Sequence, residues 1–192
     1  IWSSPHAKMG EYPAAALLRF FSNHGLLSLT DRPRWRTIVG GSRRYVEKLT
    51  APFRDRIRTN AAVTRIERDD DGVVLHAGAG PERFDQVVLA CHADQALTML
   101  AEPSEREREV LSAFPYARNE TVLHSDPRLM PRRRAAWSAW NYHRGDGDDR
   151  AVTMTYDQNR LQRLRTRRPY LVSLNRSGVL DPGLVHARMV YE

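Results

Sequence analysis

Two adjacent glycines, Gly40 and Gly41, stand between an apolar run and an amphipathic segment and constrain the middle of this chain more than any other feature. The apolar run is Trp35–Val39, and helix-forming residues follow from Ser42 to about Pro52. Glycines at such a junction allow a sharp turn and let the backbone come close to another element or to a ligand. The sequence therefore predicts a strand, a turn and a helix, and tight packing is favoured over a ligand loop as the reason for the glycines.

The hydrophobic period changes after this helix and indicates a small antiparallel β-meander. A strand pattern begins near Ile57, and Asp-Gly and Gly-Pro turns separate the segments that follow. The last segment, Phe84–Ala90, is continuously apolar towards its end and leads at once into a helix over Ala93–Leu100, as a buried strand of an α/β sheet does. Ser104 and Glu107 form a capping-box pattern, which predicts the start of a second helix.

The rest of the chain is rich in strand signals and predicts a larger sheet. These signals cover Glu120–Ser125, Ala136–His143, Ala151–Tyr156, Tyr170–Leu174 and Leu184–Tyr191. A further helix is expected over residues 13–24, between Pro13 and Gly25. The expected fold class is therefore α+β, with a mixed β-sheet that has helices on one side, together with the small antiparallel meander.

The net charge of +7 invites comparison with nucleic-acid-binding proteins. The basic residues are two lysines, Lys8 and Lys48, and 28 arginines, which are spread over all parts of the chain. Two groups lie next to prolines and carry no interleaved aromatic residues for base stacking, so they indicate solvated loops. They are Arg132–Arg134 and the group Arg163, Arg165, Arg167 and Arg168. We expect no nucleic-acid partner, and a stand-alone basic module that binds an acidic partner or nucleic acid is the alternative function.

The sequence lacks the residue patterns of a metal site, a disulfide, a membrane span and a signal peptide. The seven histidines lack metal-ligand spacing, so no metal site is expected. The single cysteine, Cys91, excludes an internal disulfide. No apolar run reaches the roughly 20 residues that a membrane span needs, and nothing near Ile1 resembles a signal peptide. We therefore expect a soluble, cytoplasmic protein without an integral membrane span.

Cys91 and His92 follow the apolar strand and are the first candidates for chemistry. Together they could act as a nucleophile and its base. Neighbouring residues of a strand point to opposite faces, however, so the two side chains would not hydrogen-bond to each other. A catalytic thiol is therefore disfavoured.

An aromatic cluster near residue 140 is the second candidate. Strand alternation places Trp140 and Tyr142 on one face and Asn141 and His143 on the other. Trp137 lies just before them in the sequence. These aromatic residues either fill the core or form the wall of an apolar substrate cavity.

The order of these elements, and the residues within them, resemble the flavin-containing amine oxidase superfamily, which includes monoamine oxidases and protoporphyrinogen oxidases. Four stretches are similar to a bacterial branch of predicted NAD/FAD-binding oxidoreductases: W-R-T-I-V-G-G-S-R-R-Y-V, V-V-L-A-C-H-A-D-Q-A-L, L-M-P-R-R-R-A-A-W and W-N-Y-H. The resemblance implies an FAD-dependent oxidoreductase. Such an enzyme transfers a hydride from a small organic substrate, including apolar or lipid-like ones, to the flavin, and oxygen commonly reoxidises the cofactor.

The resemblance also assigns parts of the chain to the two functions of such an enzyme. Residues 1–52 and 101–192 would belong to the substrate domain, and residues 53–100 would be a returning part of the FAD domain. The backbone of Val63 would meet the adenine of FAD, and Ala90, Cys91 and His92 would lie near the adenosine and diphosphate. The candidate substrate residues are Asn119, His124, Trp137, Trp140, Asn141 and Tyr142.

Two departures from the family pattern shape the expected chemistry. These residues include neither the GxGxxG unit nor the carboxyl-terminal segment that complete the flavin site, so we expect this chain alone to retain FAD poorly and to be inactive. Asn119 stands where many amine oxidases hold a lysine near the flavin N5, and neither Lys8 nor Lys48 can replace it. A desaturase- or isomerase-like reaction is therefore as compatible with the sequence as amine oxidation, and no catalytic residue is assigned.

Overall fold

A computed structural model describes residues 10–30, 34, 36–143 and 153–191. In these ranges the chain forms five α-helices and two antiparallel sheets, of three and five strands, which confirms the α+β class. Leu49–Tyr116 forms one compact unit, and the described residues on either side of it form the other. Every helix in the described ranges is too short or too polar to cross a membrane.

The smaller unit contains the expected antiparallel meander. Its strands, in spatial order, are β1 (Val63–Asp69), β2 (Gly72–Ala77) and β3 (Gly80–Phe84). Tight turns join them, because Asp69 pairs with Gly72 and Ala77 pairs with Gly80. Gly72 and Gly80 have φ angles of +135° and +109°, which residues with a side chain rarely adopt. Glycine at these two positions therefore makes the hairpins possible.

The segment after β3 differs from the buried strand that the sequence predicts. Residues 86–90 pair with no strand of the described chain, and Val88 is 90% exposed. The third strand of the meander lies earlier, at Gly80–Phe84, where the Gly-Pro pattern predicts a turn. The expectation for Phe84–Ala90 is wrong because a continuously apolar strand needs partners along its edges, and the meander offers it none.

Two helices pack beside the meander. Helix α3 (Ala93–Met99) contributes Ala96, which is buried, as is Ile66 at the centre of β1. The amide of Ala101 donates a hydrogen bond of 2.9 Å to the carbonyl of Ile66. This bond fixes the end of the helix against the strand.

Helix α4 (Glu105–Ser112) begins with the capping box that the sequence predicts. The hydroxyl of Ser104 accepts from the Glu107 amide at 3.2 Å, and the Glu107 carboxylate accepts from the Ser104 amide at 2.8 Å. The same carboxylate pairs with Arg68 on β1, at 2.5 and 2.9 Å. The Arg68 guanidinium, helped by Ser104, lowers the pKa of Glu107 to about 2. One side chain thus caps the helix and ties it to the meander.

Helices α1 (Ala14–Asn23) and α2 (Arg43–Thr50) confirm the two helices expected before the meander. Residues 36–39 form no strand, and Trp35 lies outside the described residues. Gly40 and Gly41 have φ angles of +87° and +84°, and a Cβ on Gly41 would meet nothing within 4 Å. The turn therefore needs glycine for its left-handed backbone, and the expected tight packing at Gly41 is wrong.

The larger sheet consists of β4 (Asn119–His124), β5 (Trp140–Tyr142), β6 (Met154–Asp157), β7 (Leu171–Leu174) and β8 (Val185–Tyr191). Its spatial order is β5-β6-β7-β4-β8, and every pair is antiparallel rather than mixed. Val122 at its centre packs against Leu129 and Leu180. Leu129 lies in the short 3₁₀ turn Pro127–Leu129, and Leu180 directly follows the 3₁₀ turn Ser177–Val179. A short helix that the sequence did not indicate, α5 (Gln158–Leu161), follows β6.

Replacing Gly72 should destabilise the meander. In Gly72→Ala the new Cβ would stand 2.5 Å from the carbonyl oxygen of Phe84, on a backbone with φ of +135°. We expect the free energy of unfolding to fall by about 2 kcal/mol or more, measured by urea denaturation. Gly78→Ala is the matched control, because its Cβ would meet no atom within 4 Å. It should change stability by less than about 0.5 kcal/mol, and equal losses in both variants would contradict the explanation.

Candidate functional site

The five-stranded sheet has two faces of opposite chemistry. Directly paired residues of antiparallel strands point to the same face, so the register assigns each side chain to one of them. One row across the sheet contains Asn141, Thr155, Ser173, Val122 and Arg188, and we name its side the polar face. The neighbouring row contains Trp140, Tyr156, Val172, Leu123 and Ala187, and we name its side the aromatic face.

The polar face is the buried one. Thr155, Ser173 and His124 are fully buried, and buried polar groups cost free energy unless they are hydrogen-bonded. Ser173 Oγ lies 2.8 Å from His124 Nε2 and 2.7 Å from Thr155 Oγ1. Thr155 Oγ1 in turn lies 2.8 Å from His143 Nε2. These four side chains form a continuous path, which we call the buried hydrogen-bond chain.

One proton assignment satisfies every member of the buried hydrogen-bond chain. The amide of Asp126 donates to His124 Nδ1 at 3.2 Å, so a neutral His124 carries its own proton on Nε2 and donates to Ser173. The Ser173 hydroxyl then donates to Thr155, and the Thr155 hydroxyl donates to His143 Nε2. The assignment requires both imidazoles to be neutral.

Both histidines are held neutral by their surroundings. Burial lowers the pKa of His124, although the nearby Asp126 carboxylate opposes the shift. Burial also lowers the pKa of His143, and the positive charge of Arg176 acts in the same direction. Asp126 is itself buried, and the Arg128 guanidinium holds the pKa of its carboxyl well below the usual range.

The aromatic face is the more open side of the sheet. Trp140 is 45% exposed and Tyr142 is 55% exposed. The indole of Trp140 meets the ring of Tyr156 edge-on, with 5.5 Å between centroids and 82° between planes. Aromatic rings held in this way present a rigid apolar surface with polar groups at its margin. This face can bind an apolar molecule.

The six candidate substrate residues fall into three places. Asn119, Trp140 and Tyr142 lie on the aromatic face, since Asn119 is two residues before Thr121 and Thr121 shares a row with Tyr142. Asn141 and His124 lie on the polar face, as the alternation in W-N-Y predicts for Asn141. Trp137 lies in a groove beside the short 3₁₀ turn Arg134–Ala136, where its indole donates to the carbonyl of Pro131 at 2.8 Å.

The two asparagines are already engaged by the protein. Asn119 donates to the carbonyl of Ala117 at 2.8 Å and accepts from the amide group of Asn175 at 2.9 Å. Asn141 accepts from the backbone of Ser138 at 3.1 Å and donates back to it at 2.7 Å. Asn141 therefore shapes the entry to β5, and the Asn119 amide is held in one orientation at the start of β4.

The four candidate cofactor residues lie in the smaller unit. Val63 begins β1, next to an irregularity in the pairing of β1 with β2. Ala90 and Cys91 are exposed, and His92 is half-buried, just before α3. The His92 ring stacks on Tyr116 at 4.2 Å, and its Nδ1 is buried without a hydrogen-bond partner among the described residues. Of the segment Ala90–His92, the Nδ1 atom of His92 is thus a buried polar atom that the described residues leave unsatisfied.

Three important residues in or next to the larger sheet were not identified from the sequence: Thr155 and Ser173 on its strands, and Asp126 in the loop after β4. A polar residue at every second position of a strand normally indicates the solvent-facing side. By that rule the polar residues of β6 (M-T-Y-D) and β7 (L-V-S-L) would be assigned to the exposed face of the sheet, whereas the structure buries them. This side is covered because Leu129 and Leu180 pack on Val122, and the two loops that carry them are joined where Asp126 accepts from the Asp181 amide at 2.8 Å.

Comparison with known families identifies the class of protein. The model of the flavin-containing amine oxidoreductase family matches residues 9–159, well over half of the chain. The chain belongs to this family, which makes it a flavin-dependent oxidoreductase in kind. No curated protein gave a significant match. The family match lends no support to the alternative of a stand-alone basic binding module.

The buried hydrogen-bond chain can be tested with two matched substitutions. Thr155→Val should lower the free energy of unfolding by about 2 to 4 kcal/mol, because it leaves Ser173 and His143 without their partner in a buried setting. Thr121→Val on the aromatic face makes the same chemical change and should cost less than about 1 kcal/mol. Chemical denaturation monitored by circular dichroism measures both. Equal costs would show that the buried hydrogen-bond chain does not stabilise the sheet.

Stability should also fall on mild acidification. His124 and His143 have lowered pKa values in the folded protein, so the unfolded chain takes up protons first, near pH of about 6.5. The two neutral histidines contribute fully to the free energy of unfolding above that pH. Below it this contribution is lost, by up to about 1.4 kcal/mol per pH unit for each histidine. Urea denaturation between about pH 7.5 and 5 separates this loss from that of carboxylates such as Glu107, which act only below about pH 4.5. His143→Gln should reduce the slope, and a flat profile in the parent chain would contradict the assignment.

Proposed function

We propose that the protein is an FAD-dependent oxidoreductase that removes a hydride from a small, largely apolar organic molecule. The observation that carries this proposal is membership of the flavin-containing amine oxidoreductase family, together with an exposed aromatic face on the larger sheet. Family membership supports the flavin chemistry. The aromatic face supports the apolar character of the substrate.

The cofactor side of the proposal uses residues 53–100 as part of the FAD domain. Val63 would contact the adenine through its backbone, and Ala90, Cys91 and His92 would lie near the adenosine and diphosphate. The buried Nδ1 of His92, which lacks a partner among the described residues, fits a role in binding a polar ligand.

The chain's own residues would bind and orient the substrate, while bound FAD would supply the two-electron acceptor. Trp140 and Tyr142 would form an apolar wall that excludes water from the reacting carbon. Asn119 lies on the same face, and its amide is fixed by Ala117 and Asn175. Residues 1–52 and 101–192 would together form this substrate domain. His124 and Asn141 would support the wall from the polar face, and Trp137 would extend it from the groove beside Arg134–Ala136.

Asn119 bears on which reactions the site can perform. A carboxamide has no basic nitrogen, so it cannot take up a proton as the lysine of many amine oxidases could when neutral. Its fixed amide can only donate or accept hydrogen bonds. We therefore include desaturase- or isomerase-like flavin reactions in the proposal, beside amine oxidation.

The cofactor assignment can be tested on the product of the complete gene. We expect it to purify with a flavin that, once released by denaturation, chromatographs as FAD. His92→Phe keeps a ring against Tyr116 but removes Nδ1, and it should weaken FAD binding by about 3- to 10-fold, the effect of one hydrogen bond. His76→Phe in the meander is the control and should bind FAD normally. A protein that holds no flavin, even after incubation with FAD, would overturn the proposal, and equal FAD binding by both variants would remove His92 from it.

The substrate wall can be tested by anaerobic reduction of the bound flavin. A panel of apolar amines, alcohols and polycyclic compounds should include at least one that bleaches the flavin absorption. Trp140→Ala should raise the concentration needed for half-maximal reduction at least about 10-fold, because it removes a large apolar contact. Tyr142→Phe retains its ring and should change that concentration less than about 3-fold. If Trp140→Ala reduced the flavin as readily as the parent protein, the aromatic face would not be the substrate wall.

A further inference from the structure

A groove of about 560 Å³ lies at the end of the polar face, where β6 passes into α5. It is within the size range of small-molecule sites. Of the residues that the structure describes, the charged ones that line it are Arg134, Arg160, Arg167 and Asp157. Two sequence groups of arginines thus meet in one place, since Arg134 comes from the first group and Arg167 from the second.

The positive charges in the groove are only partly balanced. Arg160 Nε lies 3.3 Å from a carboxylate oxygen of Asp157, which is buried. Among the residues that the structure describes, neither Arg134 nor Arg167 forms an ion pair with a carboxylate. Three guanidinium groups and one carboxylate therefore leave two positive charges facing the same space.

The loop that carries Arg167 is held in place by two side chains, those of Asn159 and Thr166. Asn159 donates to the carbonyl of Arg168 at 2.9 Å and accepts from the amide of Tyr170 at 2.7 Å. Thr166 Oγ1 also accepts from the amide of Arg168, at 3.2 Å. These bonds fix the backbone around Arg167, so hydrogen bonds within the protein hold this part of the groove in place.

Another part of the groove is formed by the indole of Trp137. Trp137 Nε1 donates to the carbonyl of Pro131 at 2.8 Å, which fixes the plane of the ring. The guanidinium of Arg134 lies over that ring, 5.1 Å from its centroid, in a cation–π contact that leaves its N–H groups available. The groove thus combines an aromatic surface with two guanidinium groups that have no carboxylate partner in the described part of the chain.

We propose that this groove binds a small molecule that carries two negative charges on oxyanion groups, a phosphate ester or a dicarboxylate. Two guanidinium forks match such groups because each can donate two parallel hydrogen bonds to one phosphate or carboxylate. Trp137 provides a surface for an aromatic or apolar portion of the same molecule. This site lies beyond the proposed flavin chemistry and does not depend on it, because none of its charged residues is assigned a role in binding FAD or the substrate.

The test is calorimetric titration of the 192-residue chain at constant ionic strength, with inorganic phosphate, phenyl phosphate and succinate as separate probes. Arg134→Gln and Arg167→Gln should each weaken binding about 10-fold or more, because each removes a charge-assisted contact. Arg132→Gln is the control, since this exposed arginine lies outside the groove. It should weaken binding less than about 2-fold. Arg167→Lys keeps the charge without the fork and should give an intermediate loss.

The outcomes separate the proposal from its rivals. Stronger binding of phosphate than succinate assigns a phosphate ester, and the reverse assigns a dicarboxylate. Tighter binding of phenyl phosphate than phosphate, lost in Trp137→Leu, supports the contact with the indole. Equal losses of affinity in Arg134→Gln, Arg167→Gln and Arg132→Gln would show that the probes respond only to the general positive charge of the chain. That result would overturn the proposed site. Failure of the parent chain to bind any probe better than chloride would overturn it as well, whether or not the complete protein holds FAD.

Discussion

His124, Ser173, Thr155 and His143 are polar side chains on the buried side of a sheet, and their need for hydrogen-bond partners fixes the larger sheet. Each depends on a residue of a neighbouring strand or strand end, with separations of 2.7 to 2.8 Å. A shift of one residue in any strand would turn its member of the buried hydrogen-bond chain to the other face. The partners left behind would then be buried and unsatisfied, at about 1 to 3 kcal/mol for each group. The register of β5, β6, β7 and β4 therefore follows from this one network, whereas β8 is placed by its backbone pairing with β4.

The same constraint explains why the aromatic residues face outward. Once the polar side chains occupy the buried face, strand alternation leaves Trp140 and Tyr142 on the other side, about half exposed. This arrangement reverses the usual pattern of an antiparallel sheet, in which apolar residues face the core and polar residues face water. A half-exposed apolar face of this kind fits a ligand-binding wall. The proposed substrate wall is therefore a consequence of how the polar face is satisfied.

Local signals in the sequence predicted local structure well. The capping box at Ser104 and Glu107 lies where the pattern placed it, because capping depends on residues only three positions apart. The meander and the opposite orientation of Trp140 and Asn141 also follow from short-range alternation. Predictions failed where the outcome depends on distant partners. Residues 86–90 have the composition of a buried strand but lack a partner among the described residues, and Gly41 has open space where tight packing was expected.

For this protein the sequence alone determined the α+β class, most helices and strands, and the resemblance to flavin-containing amine oxidases that the family match confirms. These properties depend on short motifs and on hydrophobic period. The tertiary structure alone decided which face of the larger sheet is buried, and it brought Arg134 and Arg167 to one groove with Trp137. A strand pattern specifies that two faces differ. Which of them is covered depends on loops such as the one fixed by Asp126 and Asp181, whose hydrogen bond joins residues 55 positions apart.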